Sequence, residues 1–252
     1  MIFAANWKMH IGPAEARAFA KTFLPAVAEQ QGRTLAFFPS AVSIEAAAGA
    51  FAGRSDVIVG AQDVHWEPKG AFTGATSVQL ARNAGGVCAL VGHSERRHVF
   101  GESDEDTRWK VRALFEGGLI PFLCVGEKLE EREAGQTTAV VLRQLDAALN
   151  GLSRDELSRL VIAYEPVWAI GTGKNATPED AAEVHSAIRE ALGTKAVPIL
   201  YGGSVNKGNV AALLSRPEID GALVGGASLD AAGWSEVVNL GTQAKVDAGP
   251  RS

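Results

Sequence analysis

Residues 163 to 174 read Ala163-Tyr164-Glu165-Pro166-Val167-Trp168-Ala169-Ile170-Gly171-Thr172-Gly173-Lys174. The apolar run that starts at Leu160 contains two β-branched residues and predicts a short buried strand that ends at the carboxylate of Glu165. Pro166 cannot continue the hydrogen-bond ladder of a strand. The apolar residues that follow could cover a ligand, and the glycines at the far end supply backbone freedom. This stretch therefore predicts a strand followed by a closing loop.

The alternation of strand and helix extends over the whole chain. Short apolar runs fall near residues 2–5, 35–38, 57–60, 87–91, 120–125, 160–164, 198–201 and 219–224. Helix-patterned segments lie between them, at residues 13–30, 104–116, 130–149, 178–192 and 206–214. Eight such repeats predict an α/β protein with a single (β/α)8 TIM barrel. We expect one domain over residues 1–252, with a frayed tail at 242–252.

A doubly wound open sheet would also alternate strands with helices. It normally has fewer strands and carries a glycine-rich nucleotide fingerprint after the first one. No G-x-G-x-x-G follows the first apolar run here. The barrel is therefore the favoured prediction.

Composition narrows the functional class. The chain of 252 residues is 46% hydrophobic and 21% charged, with a formal net charge of −5. This charge argues against non-specific nucleic-acid binding, and no apolar run approaches the roughly 18 residues of a membrane helix. The start of the chain lacks the features of a secretory signal, so we expect a cytoplasmic protein. Cys88 and Cys124 lie in apolar runs, which predicts buried free thiols without metal-ligand spacing.

Candidate site residues follow the apolar runs, because barrels of this type place their active sites at the carboxyl ends of the strands. They are Asn6 and Lys8 after the first run, His93, Ser94 and Glu95 after the fourth, Glu165 after the sixth, Ser204 after the seventh, and Gly225 and Gly226 after the eighth. Glu165 is a candidate general base, since an apolar lid would desolvate its carboxylate and raise its basicity.

The other polar positions allow two interpretations each. His93 opens a possible helical turn, where the neutral imidazole is favoured and could donate a hydrogen bond. Lys8 could be an ordinary surface lysine, but a position two residues past a barrel strand favours the stabilisation of developing negative charge. The glycine pairs could be tight turns or a backbone cradle for phosphate. The remaining histidines, His10, His65, His98 and His185, are interpreted as structural hydrogen-bonding groups.

Taken together, these motifs resemble those of the triosephosphate isomerase family. The resemblance rests on Asn6-Trp7-Lys8, Gly92-His93-Ser94-Glu95-Arg96-Arg97, Ala163 to Lys174, Tyr201-Gly202-Gly203-Ser204, and Leu223-Val224-Gly225-Gly226-Ala227-Ser228, in this order along the chain. It implies interconversion of dihydroxyacetone phosphate and D-glyceraldehyde 3-phosphate, in glycolysis and gluconeogenesis, without metal or organic cofactor.

The resemblance also implies roles for individual residues. Glu165 would move the proton between two carbons, and His93 would polarise the carbonyl as a neutral electrophile. Lys8 and Asn6 would stabilise the enediolate. Phosphate would be bound by the backbone of Gly171, Ser204, Gly225 and Gly226. Glu95 and Ser94 would support the site, Cys124 would lie in the wall beside the base, and Trp168 would move with the lid.

Residues 62 to 74 resemble the family's dimer loop, with Phe72, Thr73 and Gly74 at its tip. The resemblance implies a homodimer; from the residues alone, a packed surface loop is equally open. Two positions depart from the family's usual pattern, because Asp63 stands where Asn is common and Ala75 where Glu is common. We therefore expect Arg96 to lack its usual carboxylate partner.

Two other functions remain open at this stage. One is a different phosphosugar-processing barrel, because phosphate cradles are widespread among these folds. The other is a catalytically silent relative that binds phosphorylated metabolites or partner proteins. The lid argues against the first, and the joint presence of Glu165, His93 and Lys8 argues against the second.

Overall fold

The computed structural model of the chain describes residues 1–170 and 176–249, and within them parallel strands close into a barrel. The strands are β1 (Ile2–Asn6), β2 (Thr34–Phe38), β3 (Val57–Ala61), β4 (Cys88–Val91), β5 (Ile120–Val125), β6 (Val161–Tyr164), β7 (Ile199–Tyr201) and β8 (Gly221–Val224). They pair in chain order, and β8 pairs with β1 to close the ring. The predicted (β/α)8 barrel is confirmed, and each predicted apolar run overlaps a strand.

Helices cover the outside of the barrel. They are α1 (Pro13–Ala26), α2 (Ile44–Ala50), α3 (Val78–Asn83), α4 (Ser94–His98), α5 (Asp104–Glu116), α6 (Leu129–Glu133), α7 (Thr137–Leu149), α8 (Arg154–Ser158), α9 (Pro178–Leu192), α10 (Val210–Leu214) and α11 (Ala231–Ala248). None of these helices, within the ranges described, is long and apolar enough to cross a membrane.

The structure corrects three helix predictions. The segment 130–149 is two helices rather than one, because Gly135 adopts the left-handed conformation with φ of 69° and ends α6. The segments 13–30 and 206–214 contain shorter helices, which end at Ala26 and begin at Val210. α11 continues to Ala248 and thus includes residues 242–248 of the segment predicted as a tail.

Alternating side chains on the strands build two apolar layers. Phe38 of β2 lies inside the barrel and meets Phe122 of β5 with ring centroids 5.1 Å apart. Its neighbour Phe37 points outward and stacks on Phe51 at 4.3 Å, in the layer between strands and helices. This alternation is the period-two pattern of a strand that is buried on both faces. The barrel interior is thus packed, which leaves its ends for a site.

A buried ion-pair cluster lies at the amino-terminal ends of β2 and β3. The carboxylate of Asp56 is 2.7 Å from Arg33 and 2.9 Å from Arg54, and the Asp56 side chain is 3% exposed. Burial acts to raise the pKa of Asp56, but hydrogen bonds from Arg54 and Arg33 outweigh it, so this pKa is lowered. The cluster lies at the barrel end opposite to the candidate site and stabilises the fold.

Candidate active site

A cavity of about 370 Å³ opens at the carboxyl ends of the strands. Asn6 ends β1, His93 follows β4 by two residues, and Glu165 directly follows β6. The loops after β7 and β8 close the remaining side. The predicted residues that line this cavity are Asn6, Lys8, His93, Glu165, Ser204, Gly225 and Gly226. Gly171 was also predicted, and it lies outside the described residues.

Glu165 is buried at the base of the cavity, with 2% of its surface exposed. Its Oε2 accepts a hydrogen bond from the backbone N–H of Ser94 at 2.8 Å, and its Oε1 lies 3.1 Å from Nε2 of His93. Cys124 is fully buried beside it. Burial, reinforced by the charge of Glu165, raises the pKa of the Cys124 thiol well above its ordinary value. The Glu165 carboxylate is therefore held in place by neighbours that keep it away from bulk water.

The local fold sets the tautomer of His93. This residue caps the amino terminus of α4, and its Nδ1 accepts a hydrogen bond from the backbone N–H of Glu95 at 3.2 Å. A ring nitrogen that accepts carries no proton, so in the neutral imidazole the proton is on Nε2. Nε2 faces Glu165. The imidazole is thus oriented to donate a hydrogen bond into the cavity.

Lys8 adopts a strained backbone conformation. Its φ of 48° is the only positive value among the non-glycine residues of 1–170 and 176–249. The turn is stabilised because the Asn6 side chain accepts from the Lys8 N–H at 3.0 Å and Gln62 donates to its carbonyl at 2.7 Å. The ammonium group pairs with Glu95 at 2.6 Å. Backbone strain of this kind clusters at functional sites, and here it directs a cation into the cavity.

Two glycines make room for the catalytic candidates. A Cβ on Gly202 would lie 2.8 Å from Cγ of Glu165, and a Cβ on Gly225 would lie 3.1 Å from Cε of Lys8. Both distances are shorter than ordinary carbon–carbon contacts. The glycines after β7 and β8 therefore allow Glu165 and Lys8 to approach the backbone of these loops closely.

The loop after β6 packs against residues that the sequence analysis missed. Glu127 is completely buried and accepts hydrogen bonds from Trp168 Nε1 at 2.9 Å and from the Tyr164 hydroxyl at 3.1 Å. Burial raises the pKa of Glu127. Arg132 lies over the Trp168 ring, 4.6 Å from its centroid. Ser204 also contacts this loop, because its hydroxyl donates to the carbonyl of Ala169 at 2.7 Å.

His10 is a second omission. It was interpreted as structural, yet it is exposed and lines the cavity beside residues of the loop after β8. Its position was readable from the sequence, since it lies two residues beyond Lys8 on the same loop. The signal for Glu127 was similar, because Gly126-Glu127 directly follows the fifth apolar run. Of the other histidines, His185 is fully buried with Nδ1 3.3 Å from the carbonyl oxygen of Glu218.

Arg96 pairs with two carboxylates of its own chain, neither of them at position 75. It lies 3.2 Å from Asp63 and 3.2 Å from Glu102. Lys110 bridges the same two carboxylates, at 2.5 and 2.6 Å. Asp63 thus supplies a carboxylate to Arg96, which Ala75 cannot do. Glu102 also accepts from the Gly92 N–H at 3.0 Å, which connects this cluster to the His93 loop.

Residues 72 to 74 form an exposed tip on the loop after β3. Phe72 is 44% exposed and packs one face on His65, with ring centroids 4.1 Å apart.

Both cysteines are free and buried. Within residues 1–170 and 176–249, no group of three or more His, Cys, Asp or Glu side chains is arranged to hold a metal ion.

The fold and site together define a (β/α)8-barrel protein with a carboxylate, an imidazole and a lysine in one cavity. The sequence model of the triosephosphate isomerase family matches residues 1–241. The chain belongs to this family.

Individual members of the family are similar in sequence to this chain over nearly their full lengths. The chain is 48% identical to the triosephosphate isomerase of Symbiobacterium thermophilum over 251 residues, covering 97% of this chain and 98% of the relative. It is 47% identical to that of Bdellovibrio bacteriovorus, covering 95% and 99%. It is 46% identical to that of Pelobacter propionicus, covering 95% and 98%.

Proposed function

We propose that this chain is a triose-phosphate isomerase that interconverts dihydroxyacetone phosphate and D-glyceraldehyde 3-phosphate, a step of glycolysis and gluconeogenesis. The observation that carries the proposal is the pair of Glu165 and His93, whose Oε1 and Nε2 atoms lie 3.1 Å apart at the base of the cavity. A carboxylate and a neutral imidazole N–H at this distance can act on neighbouring atoms of one small substrate. The carboxylate can accept a proton from a carbon atom while the imidazole donates a hydrogen bond to the carbonyl oxygen beside it.

In the proposed mechanism Glu165 removes a proton from C1 of dihydroxyacetone phosphate. The electron pair left on C1 forms the double bond of an enediolate, and the C2 carbonyl oxygen receives the negative charge. His93 donates its Nε2–H hydrogen bond to that oxygen and passes protons between the two oxygens. Glu165 then returns its proton to C2, which gives the aldehyde. These steps are proton transfers, so the mechanism calls for neither metal nor organic cofactor.

Before this reaction, Glu165 must exchange its present partners for substrate. In the structure its oxygens face the Ser94 N–H and the His93 Nε2. A substrate oxygen placed at His93 would take over that hydrogen bond, and this would release one carboxylate oxygen for C1. The proposal therefore requires a movement of Glu165 on binding, coupled to closure of the loop that follows it.

Lys8 and Asn6 are proposed to stabilise the enediolate. A preorganised ammonium group stabilises a transition state most strongly where the negative charge develops out of contact with water. Glu95, which pairs with Lys8 at 2.6 Å, keeps that ammonium in place. The phosphate is proposed to lie against Ser204, Gly225 and Gly226, which line the cavity on the β7 and β8 side. Gly171 belongs to the same proposal from the resemblance alone.

We also propose that the protein acts in the cytoplasm as a homodimer, with Phe72, Thr73 and Gly74 inserted into the partner. The exposed Phe72 at the tip of this loop supports the assembly, since aromatic residues are enriched at protein–protein interfaces. Equilibrium sedimentation would test it. A species of twice the chain mass is expected for the native chain, and a smaller species for Thr73→Arg.

The reaction itself is tested by coupling the formation of dihydroxyacetone phosphate from glyceraldehyde 3-phosphate to NADH consumption. The native chain and Glu165→Gln are assayed side by side. Activity in the native chain that disappears in the variant is expected. A native chain that binds phosphate-like anions without turnover would favour the silent relative instead, and turnover of a different phosphosugar would favour another barrel isomerase.

A further inference from the structure

We propose that Arg97 is a positioning residue for the proposed reaction, because its guanidinium group connects the backbone next to His93 with the backbone next to Glu165. The connection would set the distance between the imidazole and the carboxylate. The inference rests on the proposed function for its effect on turnover. Arg97 lies on α4 and is not among the residues that line the cavity, so it would act through its neighbours.

The guanidinium group of Arg97 donates to two backbone carbonyls and one carboxylate. Its Nε donates to the carbonyl of Gly92 at 2.8 Å, and one terminal nitrogen donates to the carbonyl of Cys124 at 3.3 Å. The other terminal nitrogen pairs with Asp104 at 2.6 Å, and the Arg97 side chain is 7% exposed. A planar guanidinium has its donors in fixed directions and holds such partners in one geometry.

The two carbonyls belong to the ends of neighbouring strands. The pairing of β4 with β5 ends at Val91 and Leu123. Gly92 and Cys124 are the next residues along each strand direction. Arg97 therefore connects β4 and β5 directly beyond the point where their own pairing stops.

On the β4 side, this connection acts on the peptide group that leads into His93. The carbonyl of Gly92 belongs to the peptide bond whose nitrogen is that of His93. Gly92 is in the left-handed conformation with φ of 68°, and its N–H donates to Glu102 at 3.0 Å. A Cβ on Gly92 would lie 2.7 Å from a terminal nitrogen of Arg97. The residue before His93 is thus held through its N–H, its carbonyl and its close packing.

On the β5 side, the connection leads to the backbone of Glu165. Cys124 is followed by Val125, whose carbonyl accepts from the Glu165 N–H at 2.8 Å. The Cys124 side chain also lies beside the Glu165 carboxylate. A shift of the β5 end relative to β4 would therefore move Glu165 relative to His93.

The test variant is Arg97→Lys. Its ammonium group can still pair with Asp104, but a single point donor cannot reach both carbonyls in the geometry of the fork. Arg189→Lys is the matched control at the other end of the barrel. Arg189 also donates to a backbone carbonyl, that of Val197 just before β7, and pairs with Asp220 at 2.7 Å.

Three quantities are measured for the native chain and both variants: kcat and KM in the coupled assay, the melting temperature, and the imidazole signals of His93 in proton–nitrogen NMR, assigned with His93→Asn. In Arg97→Lys we expect kcat to fall by about tenfold or more, KM to change by less than about twofold, and the His93 signals to shift. Arg189→Lys should lower the melting temperature by a similar amount and keep both kcat and the signals. If Arg97→Lys does not fold, Asp104→Asn, which removes the charged partner of Arg97, should shift kcat and the signals in the same direction.

A folded Arg97→Lys with native His93 signals, or with native kcat, would overturn the inference, and so would an equal loss of kcat in Arg189→Lys. In each of these cases an active native chain would still support the proposed function. A native chain without isomerase activity would overturn the proposed function, whereas shifted His93 signals in Arg97→Lys would still support the positioning of His93 by Arg97.

Discussion

The imidazole Nε2 of His93 lies 3.1 Å from Oε1 of Glu165, although the two residues leave different strands on opposite sides of β5. The Ser94 N–H fixes the second oxygen of Glu165, and the Glu95 N–H fixes the second nitrogen of His93. The amino-terminal turn of α4 therefore orients both groups. One short helix sets the distance between the proposed base and the proposed electrophile.

This distance makes the length of the base decisive. Glu165→Asp removes one methylene and withdraws the carboxylate by about 1 Å, which can cost on the order of 10²-fold in rate. We expect kcat to fall by that amount with an unchanged melting temperature, measured in the coupled assay and by thermal denaturation. Turnover close to that of the native chain would remove Glu165 from the role of base.

A substitution at a neighbouring residue can move the Glu165 carboxylate while Glu165 itself is kept. In Gly202→Ala the new Cβ would lie 2.8 Å from Cγ of Glu165, so the carboxylate must move. We expect kcat to fall by about tenfold or more, because small misplacements of reacting groups are costly. Gly49→Ala is the control, since a Cβ there meets nothing within 4 Å. Equal rates in the two variants would show that Gly202 does not control the base.

The charge on Lys8 is expected to act mainly in the transition state. Lys8→Ala removes the ammonium that pairs with Glu95 at 2.6 Å, and we expect kcat to fall by at least about 10²-fold. Lys207→Ala serves as the control, because Lys207 is 71% exposed in a surface pair with Glu236. The two variants are compared by kcat and by circular dichroism. An active, folded Lys8→Ala would return this lysine to the role of an ordinary surface residue.

The free energy of unfolding should depend on the ionised carboxylate of Asp56, which lies at the barrel end opposite to the candidate site. The lowered pKa of Asp56 means that its ionised form stabilises the fold above the unfolded value of about 3.9, and that this stability is lost as the pH falls below it. Asp56→Asn leaves the buried Arg33 without its anion and removes the nearer partner of Arg54, and it should cost on the order of 3 kcal/mol at neutral pH.

The measurement for Asp56 is urea unfolding at neutral pH and near pH 3, beside Asp155→Asn. Asp155 is the matched control because its carboxylate is 85% exposed and pairs with Arg159 at 3.7 Å. The control should change stability little, since exposed ion pairs contribute about 0–1 kcal/mol. The difference in the free energy of unfolding between the native chain and Asp56→Asn should be smaller near pH 3 than at neutral pH. A deficit that is the same at both pH values would contradict the assigned role of the ionised carboxylate.

Strand order and the main site residues could be predicted because each strand of the barrel is a local apolar run and each candidate follows one. Gly135 shows the limit of this approach, since helix periodicity continued across a residue whose left-handed backbone ends the helix. Arg96 shows another limit. Its partner Glu102 lies six residues further along the chain, but Asp63 comes from the loop after β3, and only the packing of the loops brings it to Arg96. Glu127 and His10 were missed although each follows a strand.

The central claim is that Glu165 carries a proton between carbon atoms, and isotope incorporation tests it most directly. Dihydroxyacetone phosphate is incubated with the native chain in D2O, and deuterium at C1 and in the product is followed by NMR. We expect deuterium to enter during turnover of the native chain, because a carboxylic acid in the site can exchange with solvent, and to enter no faster than without enzyme in Glu165→Gln. Deuterium incorporation by Glu165→Gln at the rate of the native chain would contradict the account.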